Sequence, residues 1–214
     1  MRDEVGARSR TSAPLLGEPL PVELMNTLWA DRDGLHDALG ETAAARTWLR
    51  AIAPRLDPPV AEDLHALTTT DTDRLTQRLS ALRDALRRLA AQATDDPRAA
   101  AASPVRDLDT AVAEVNRAAA AAPRWSALVW RAGERPSRLT RTGGRATEAA
   151  VSALAEEAVE LFAHPDRSRL RACLAPGCVL YFTKNHSRRE WCSTNCGNRV
   201  RAARHYQRHR ASRS

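Results

Sequence analysis

At 214 residues the chain can form one or two domains with a real core. Hydrophobic residues make up 43%, much of it alanine, and aromatics only 4%, a helical composition; no apolar run approaches the ~20 residues of a membrane-crossing helix, which excludes that class. Net charge is +7 but unevenly placed: residues 165–214 hold twelve of the 33 Lys/Arg and two of the 26 Asp/Glu, a balance of +10, against −3 for residues 1–164.

Residues 1–19 mix Arg, Ser, Gly and Pro without periodicity and predict a disordered arm. The arm contains no apolar run of signal-peptide length, so a cytoplasmic protein is expected, at the nucleoid if it binds DNA. Pro21 suits a first helical turn, and Val22, Met25, Leu28 and Trp29 follow at helical spacing. Residues 31–40 read as a charged loop. Thr42 can cap a second helix with Ala45, Trp48, Leu49 and Ile52 on one face, ending near Pro54. Pro58-Pro59 marks a turn before a short helical piece over residues 60–67.

The strongest helix spans residues 73–92. Leu75, Leu79, Leu82, Leu86 and Leu89 form an apolar seam, with Arg78, Arg83, Arg87 and Arg88 outward or sideways. The seam fits a core helix or, alternatively, a coiled-coil homodimer. Residues 94–103 form an Asp/Ala-rich link. Ser103-Pro104 then opens a helix to about Ala122, with Val105, Leu108, Val112 and Val115 inward. Residues 125–130 and 137–141, around Gly133 and Pro136, predict a β-hairpin. Gly143-Gly144 reads as a turn, and a helix over residues 147–162 buries Val151, Leu154, Ala158, Leu161 and Phe162. Residues 164–166 form a hinge.

All four cysteines lie beyond that hinge, as Cys173-x4-Cys178 and Cys192-x3-Cys196 with thirteen residues between the pairs. Two close pairs across a short span is the spacing of a four-thiolate site for one structural zinc ion. Disulfides need an oxidising compartment, and an iron–sulfur cluster suits such short pairs less well. Pro176-Gly177 can turn a knuckle, residues 179–182 read as a buried strand, residues 184–186 as a turn, and residues 188–191 as a returning strand. Ser193 is a candidate N-cap for a helix that holds Cys196 in its first turn. The expected unit is knuckle, hairpin, helix. His186, and His205 with His209 at i, i+4 spacing, are the other conceivable ligands.

In the terminal helix, Arg201, Arg204, His205 and Arg208 share one stripe, which with Arg188 and Arg189 marks the candidate nucleic-acid contacts. Cys196, Arg199, Ala203 and Tyr206 fall on the opposite side, so Arg199 is expected to support the finger. A basic quarter on an otherwise acidic chain fits a nucleic-acid contact better than a general arginine bias. No phosphate-binding loop, nucleophile elbow or HExxH-like motif is present, and Glu156, Glu157 and Glu160 read as a solvated face, so no enzyme is expected.

Cys196-Gly-Asn-Arg199, preceded by Trp191-Cys-Ser193, resembles the signature of the CGNR zinc finger. In that family the finger follows a helical domain called ABATE, to which residues 23–28, 37–39, 48–49 and 81–89 are also similar. The resemblance implies a stress-induced transcription regulator. The fold is therefore expected to be mostly α: a helical ABATE-like domain over residues 20–164 with one small hairpin, then a four-cysteine finger with a basic helix over residues 165–214. DNA is the expected partner. A protein-interaction module with a purely structural zinc, and a regulator with a small-molecule effector pocket in the helical domain, stay open. Zinc loss is expected to loosen the finger and leave the helical domain intact.

Overall fold

The computed structural model describes residues 13–101 and 103–211 of the chain. Among them are seven α-helices and three two-stranded antiparallel sheets. Residues 1–12 of the predicted arm lie outside the described residues, whereas residues 13–19 pack against the body. Ala13 and Glu18 are buried, and Glu18 Oε2 accepts from the Thr183 backbone N–H at 2.9 Å.

Helix α1 (Leu20–Met25) starts with a proline in its first turn and stops earlier than its apolar spacing suggests. Thr27 Oγ1 donates to the Leu24 carbonyl at 2.8 Å, and the chain turns into β1 (Leu28–Asp31) and β2 (Gly34–Asp37). The predicted charged loop is thus a hairpin, with Leu28 opposite Asp37 and Asp31 opposite Gly34. Asp31 makes the turn by accepting from the Asp33 N–H at 2.8 Å, while Trp29 stacks on His36. Helix α2 (Thr42–Ile52) buries the expected Ala45, Trp48, Leu49 and Ile52, and α3 (Pro58–His65) takes its prolines into its first turn.

Helix α4 (Thr69–Thr94) lies at the centre, against α1, α2, α5, α6 and β5. The Thr68 side chain caps it, accepting from the Asp71 N–H at 3.1 Å. Leu75, Leu79, Leu82 and Leu86 are fully buried inside this one chain, so the leucine seam is a core and offers no surface to a second copy. Each buried leucine contributes about 1.5–3 kcal/mol of transfer free energy. Two of the arginines expected outward are also inside. Arg83 meets Asp37, and Arg87 is 0% exposed.

Helix α5 (Leu108–Ala119) turns Ala111, Val115 and Ala118 inward and leaves the predicted core residues Leu108 and Val112 exposed. The hairpin of β3 (Arg124–Val129) and β4 (Ser137–Thr142) forms as predicted, and α6 (Ala146–Ala163) follows it. A 3-10 turn (Pro165–Arg169) leads to β5 (Leu170–Ala172), β6 (Tyr181–Thr183) and α7 (Thr194–Ala211). Leu170 and Tyr181 belong to the main hydrophobic core, so the C-terminal segment packs into the helical body.

Candidate metal centre

The cysteines are placed by two local structures. The first is a tight turn over residues 175–178, where the Cys178 N–H donates to the Ala175 carbonyl at 2.9 Å. Proline at its second position and Gly177 at φ +69° are what such a turn requires. The hairpin β5–β6 encloses this knuckle, with Ala172 opposite Tyr181 and the Cys173 N–H bonded to the Leu180 carbonyl. The partner of the strand after Cys178 is therefore β5, which precedes the first cysteine. Residues 188–191, expected to return as a strand, form none: a turn ends at Arg188, with the Arg189 N–H on the His186 carbonyl at 3.0 Å, and the chain then runs irregularly to Trp191.

The second structure is the start of α7. The Ser193 hydroxyl accepts from the Cys196 N–H at 3.3 Å, the cap its position suggested, and Cys196 falls in the first turn. A side chain at Gly197 would come within 3.3 Å of the Trp191 ring, so glycine there lets the indole lie against the helix.

Together these bring the sulfurs of Cys173, Cys178, Cys192 and Cys196 within 4.8 Å of one another, all four residues buried. The Cys178–Cys192 and Cys192–Cys196 sulfurs stand 3.8 and 3.4 Å apart, too far for disulfides. Tetrahedral zinc with bonds of about 2.3 Å needs sulfurs about 3.8 Å apart, so the donor set fits one zinc ion. Four sulfurs this close cannot all ionise unaided. Hydrogen bonding with the other three pulls Cys196 below the ordinary thiol range, and bonding to Cys173 pushes Cys178 and Cys192 above it. A divalent cation stabilises the thiolates together.

Arg199 reaches back as expected, its Nη2 donating to Cys196 Sγ at 2.9 Å. His186 instead accepts from the Arg188 N–H, and His205 and His209 bond to each other at 3.0 Å in α7. Neither belongs to the sulfur cluster. Arg201, Arg204, His205 and Arg208 are all exposed, as is Arg188. Arg189 is not an outward contact: its guanidinium donates to Glu18 Oε1 at 2.6 Å and to the Thr183 and Cys192 carbonyls, over the Phe182 ring. Tyr206, expected to face the metal, is 70% exposed, because α7 leaves the finger after about two turns.

Sequence reasoning missed the groups that hold the knuckle from the helical side. Arg98 Nη1 donates at 3.1 Å to each of the Cys173, Cys178 and Leu180 carbonyls, and Nη2 pairs with Asp96 at 2.6 Å. Arg87 bonds the carbonyls of Met25, Ala101 and Val179. Both guanidiniums lie over the Tyr181 ring, whose hydroxyl donates to Asp96 at 2.7 Å. Burial and that bond push the hydroxyl up to about 12, so it keeps its proton. Asn26 bonds both the N–H and the carbonyl of Tyr181 at 2.9 Å, standing in for a neighbouring strand. The one hint in the sequence was an acid and an arginine bracketing Pro97 within an Ala-rich link.

A four-thiolate centre capped by a basic helix and bonded to a helical body defines a protein of the zinc-finger class. The chain belongs to the ABATE family, "Putative stress-induced transcription regulator", which matches residues 18–165, and residues 169–209 match the CGNR zinc finger. No curated protein matches the chain. Neither family is described as an enzyme.

Proposed function

We propose that the protein is a zinc-dependent transcription regulator that works in the cytoplasm, at the nucleoid, by binding DNA through its terminal helix. One observation carries this reading. Helix α7 holds five arginines and no acidic residue, and the Arg204 and Arg208 guanidiniums, both exposed, make no hydrogen bond or ion pair among the described residues. A helix fits the major groove, where such side chains meet phosphates and base edges. Arg188 joins this set, Arg189 does not, and Arg201 reaches it while bonded to Asn198.

Arg204→Ala with Arg208→Ala should leave zinc content unchanged and flatten the slope of log affinity against log salt by about 1.8, the release of two phosphate contacts. An unchanged slope removes the helix from the interface and favours an acidic protein as the partner.

A second reading rests on a cleft of about 420 Å³ between α6 and the finger, lined by Glu157, Leu161, His164, Arg169, Thr183 and Asn185. An effector bound there would touch both units at once. A small molecule that raises the melting temperature of the wild type, but not of Leu161→Trp, supports it. Stabilisation of both alike places the ligand elsewhere.

A further inference from the structure

The hairpin β3–β4 concentrates exposed groups that nothing among the described residues uses. Residues 124–145 hold six arginines against one acid, Glu134, a balance of +5 within a part of the chain that is acidic as a whole. Arg124 is paired with Asp57 and Glu156, and Arg145 with Asp71. Arg131, Arg135 and Arg138 are exposed, and among the described residues their guanidiniums make no hydrogen bond or ion pair.

The strand register sorts the side chains by face. Trp125 stands opposite Arg141 on one face, and the β4 residues from Leu139 to Thr142 border a cleft whose walls include Val60 and Asp63. Leu128 stands opposite Arg138 on the other face, and Trp130 follows at the end of the strand. Leu128 is 74% and Trp130 68% exposed, in a chain with nine aromatic residues in all. A large ring and a leucine held in water beside three unpaired guanidiniums are the components of a surface that binds a polyanion with planar apolar parts.

We propose that this ribbon is a second nucleic-acid contact, in which Arg131, Arg135 and Arg138 meet phosphates and Trp130, with Leu128, packs on bases or sugars. It rests on the nucleic-acid reading above and extends it to a surface outside the finger. Nucleic acid fits better than an acidic protein because it offers dense negative charge beside stackable planes. Duplex DNA carries one charge per about 1.7 Å of axis, and a two-stranded ribbon fits its major groove. The hairpin and the finger leave opposite ends of α6, whose 18 residues separate their roots by about 27 Å. The two contacts therefore extend one long site.

The test is binding by the full chain to a duplex longer than this span, and to the corresponding single strand, over a range of salt concentrations. Arg135→Ala with Arg138→Ala should flatten the salt slope by about 1.8 on the duplex, or about 1.4 on the single strand, and the larger effect names the form bound. The paired lysine substitutions should restore the slope. Trp130→Ala should weaken single-strand binding about 5- to 150-fold at unchanged slope. Melting curves establish that the variants fold. If the hairpin variants bind like the wild type while Arg204→Ala with Arg208→Ala loses affinity, the ribbon is not a contact and the helix reading stands. If the wild type binds neither form, both readings fall. Loss of polyglutamate binding in the hairpin variants, with nucleic-acid binding intact, assigns the ribbon to an acidic protein and overturns the proposal.

Discussion

Arg98 gathers three carbonyls of the knuckle on one nitrogen and holds Asp96 with the other. Removing one partner of a buried pair leaves the other uncompensated, which costs about 3–5 kcal/mol. Arg98→Ala should therefore lower stability by about that amount and speed zinc loss to a chelator; a cost below about 1 kcal/mol would show the clamp to be incidental. The pair also carries a pH signature. Burial pushes the Asp96 carboxyl up, but hydrogen bonds from Arg98 and Tyr181 outweigh it and hold it below the usual aspartate range. A depressed carboxyl adds stability above its unfolded pKa of about 3.9, and that stability is lost as pH falls through the folded value. In urea unfolding the difference between the wild type and Asp96→Asn should be largest above about pH 4 and shrink below it. A constant difference would mean that charge on Asp96 is not what holds Arg98.

Among the elements, α7 divides most sharply. Its first turns hold Cys196, Gly197 and Val200 in the finger, whereas every residue from Arg204 to Arg210 is exposed. Ending the chain at Ala203 should keep zinc, change stability by no more than about 0.5 kcal/mol, and lower DNA affinity sharply. A clear loss of stability would show that the outer helix supports the fold. Which elements were legible follows from what signalled their burial. Trp48, Leu49 and Ile52 announce the inner face of α2 by size and spacing. In α5 the buried positions are mostly alanines, whose hydrophobic signal is weak, so Leu108 and Val112 misled. The hairpin β1–β2 carries four charged residues among its ten, and its order comes from backbone pairing and the Asp31 turn. The cysteines and Ser193 were readable because coordination and capping are local chemistry. Arg87 was not, since one of its acceptors, the Val179 carbonyl, lies 92 positions away.

At the scale of the whole molecule, the finger and the helical body share one core. Leu170 and Tyr181 fill it, and Arg87 and Asn26 find partners in the finger segment. Without those partners a fully buried guanidinium is left with unmet donors, at a cost that a marginally stable domain does not absorb. The structure thus replaces the expectation that zinc loss would leave the helical domain untouched. Chelation, or Cys178→Ser, should lower the melting temperature of the helical signal itself, and the zinc-bound wild type should unfold in a single transition. An unshifted helical transition after zinc removal would restore the picture of two independent units.

The Asn26–Tyr181 pairing also sets an order of events during synthesis. Its partners are 155 residues apart, and Asn26 directly follows the first helix described. At about 5–20 residues per second, the ribosome needs roughly 8–30 s to deliver Tyr181 after Asn26 has been added. Until then Asn26, just past α1, and Arg87 of α4 lack the partners that Tyr181 and Val179 supply. A nascent chain cut short before β6 leaves the helical body unclosed, so the body is finished only when the segment that carries the first two cysteines has been made.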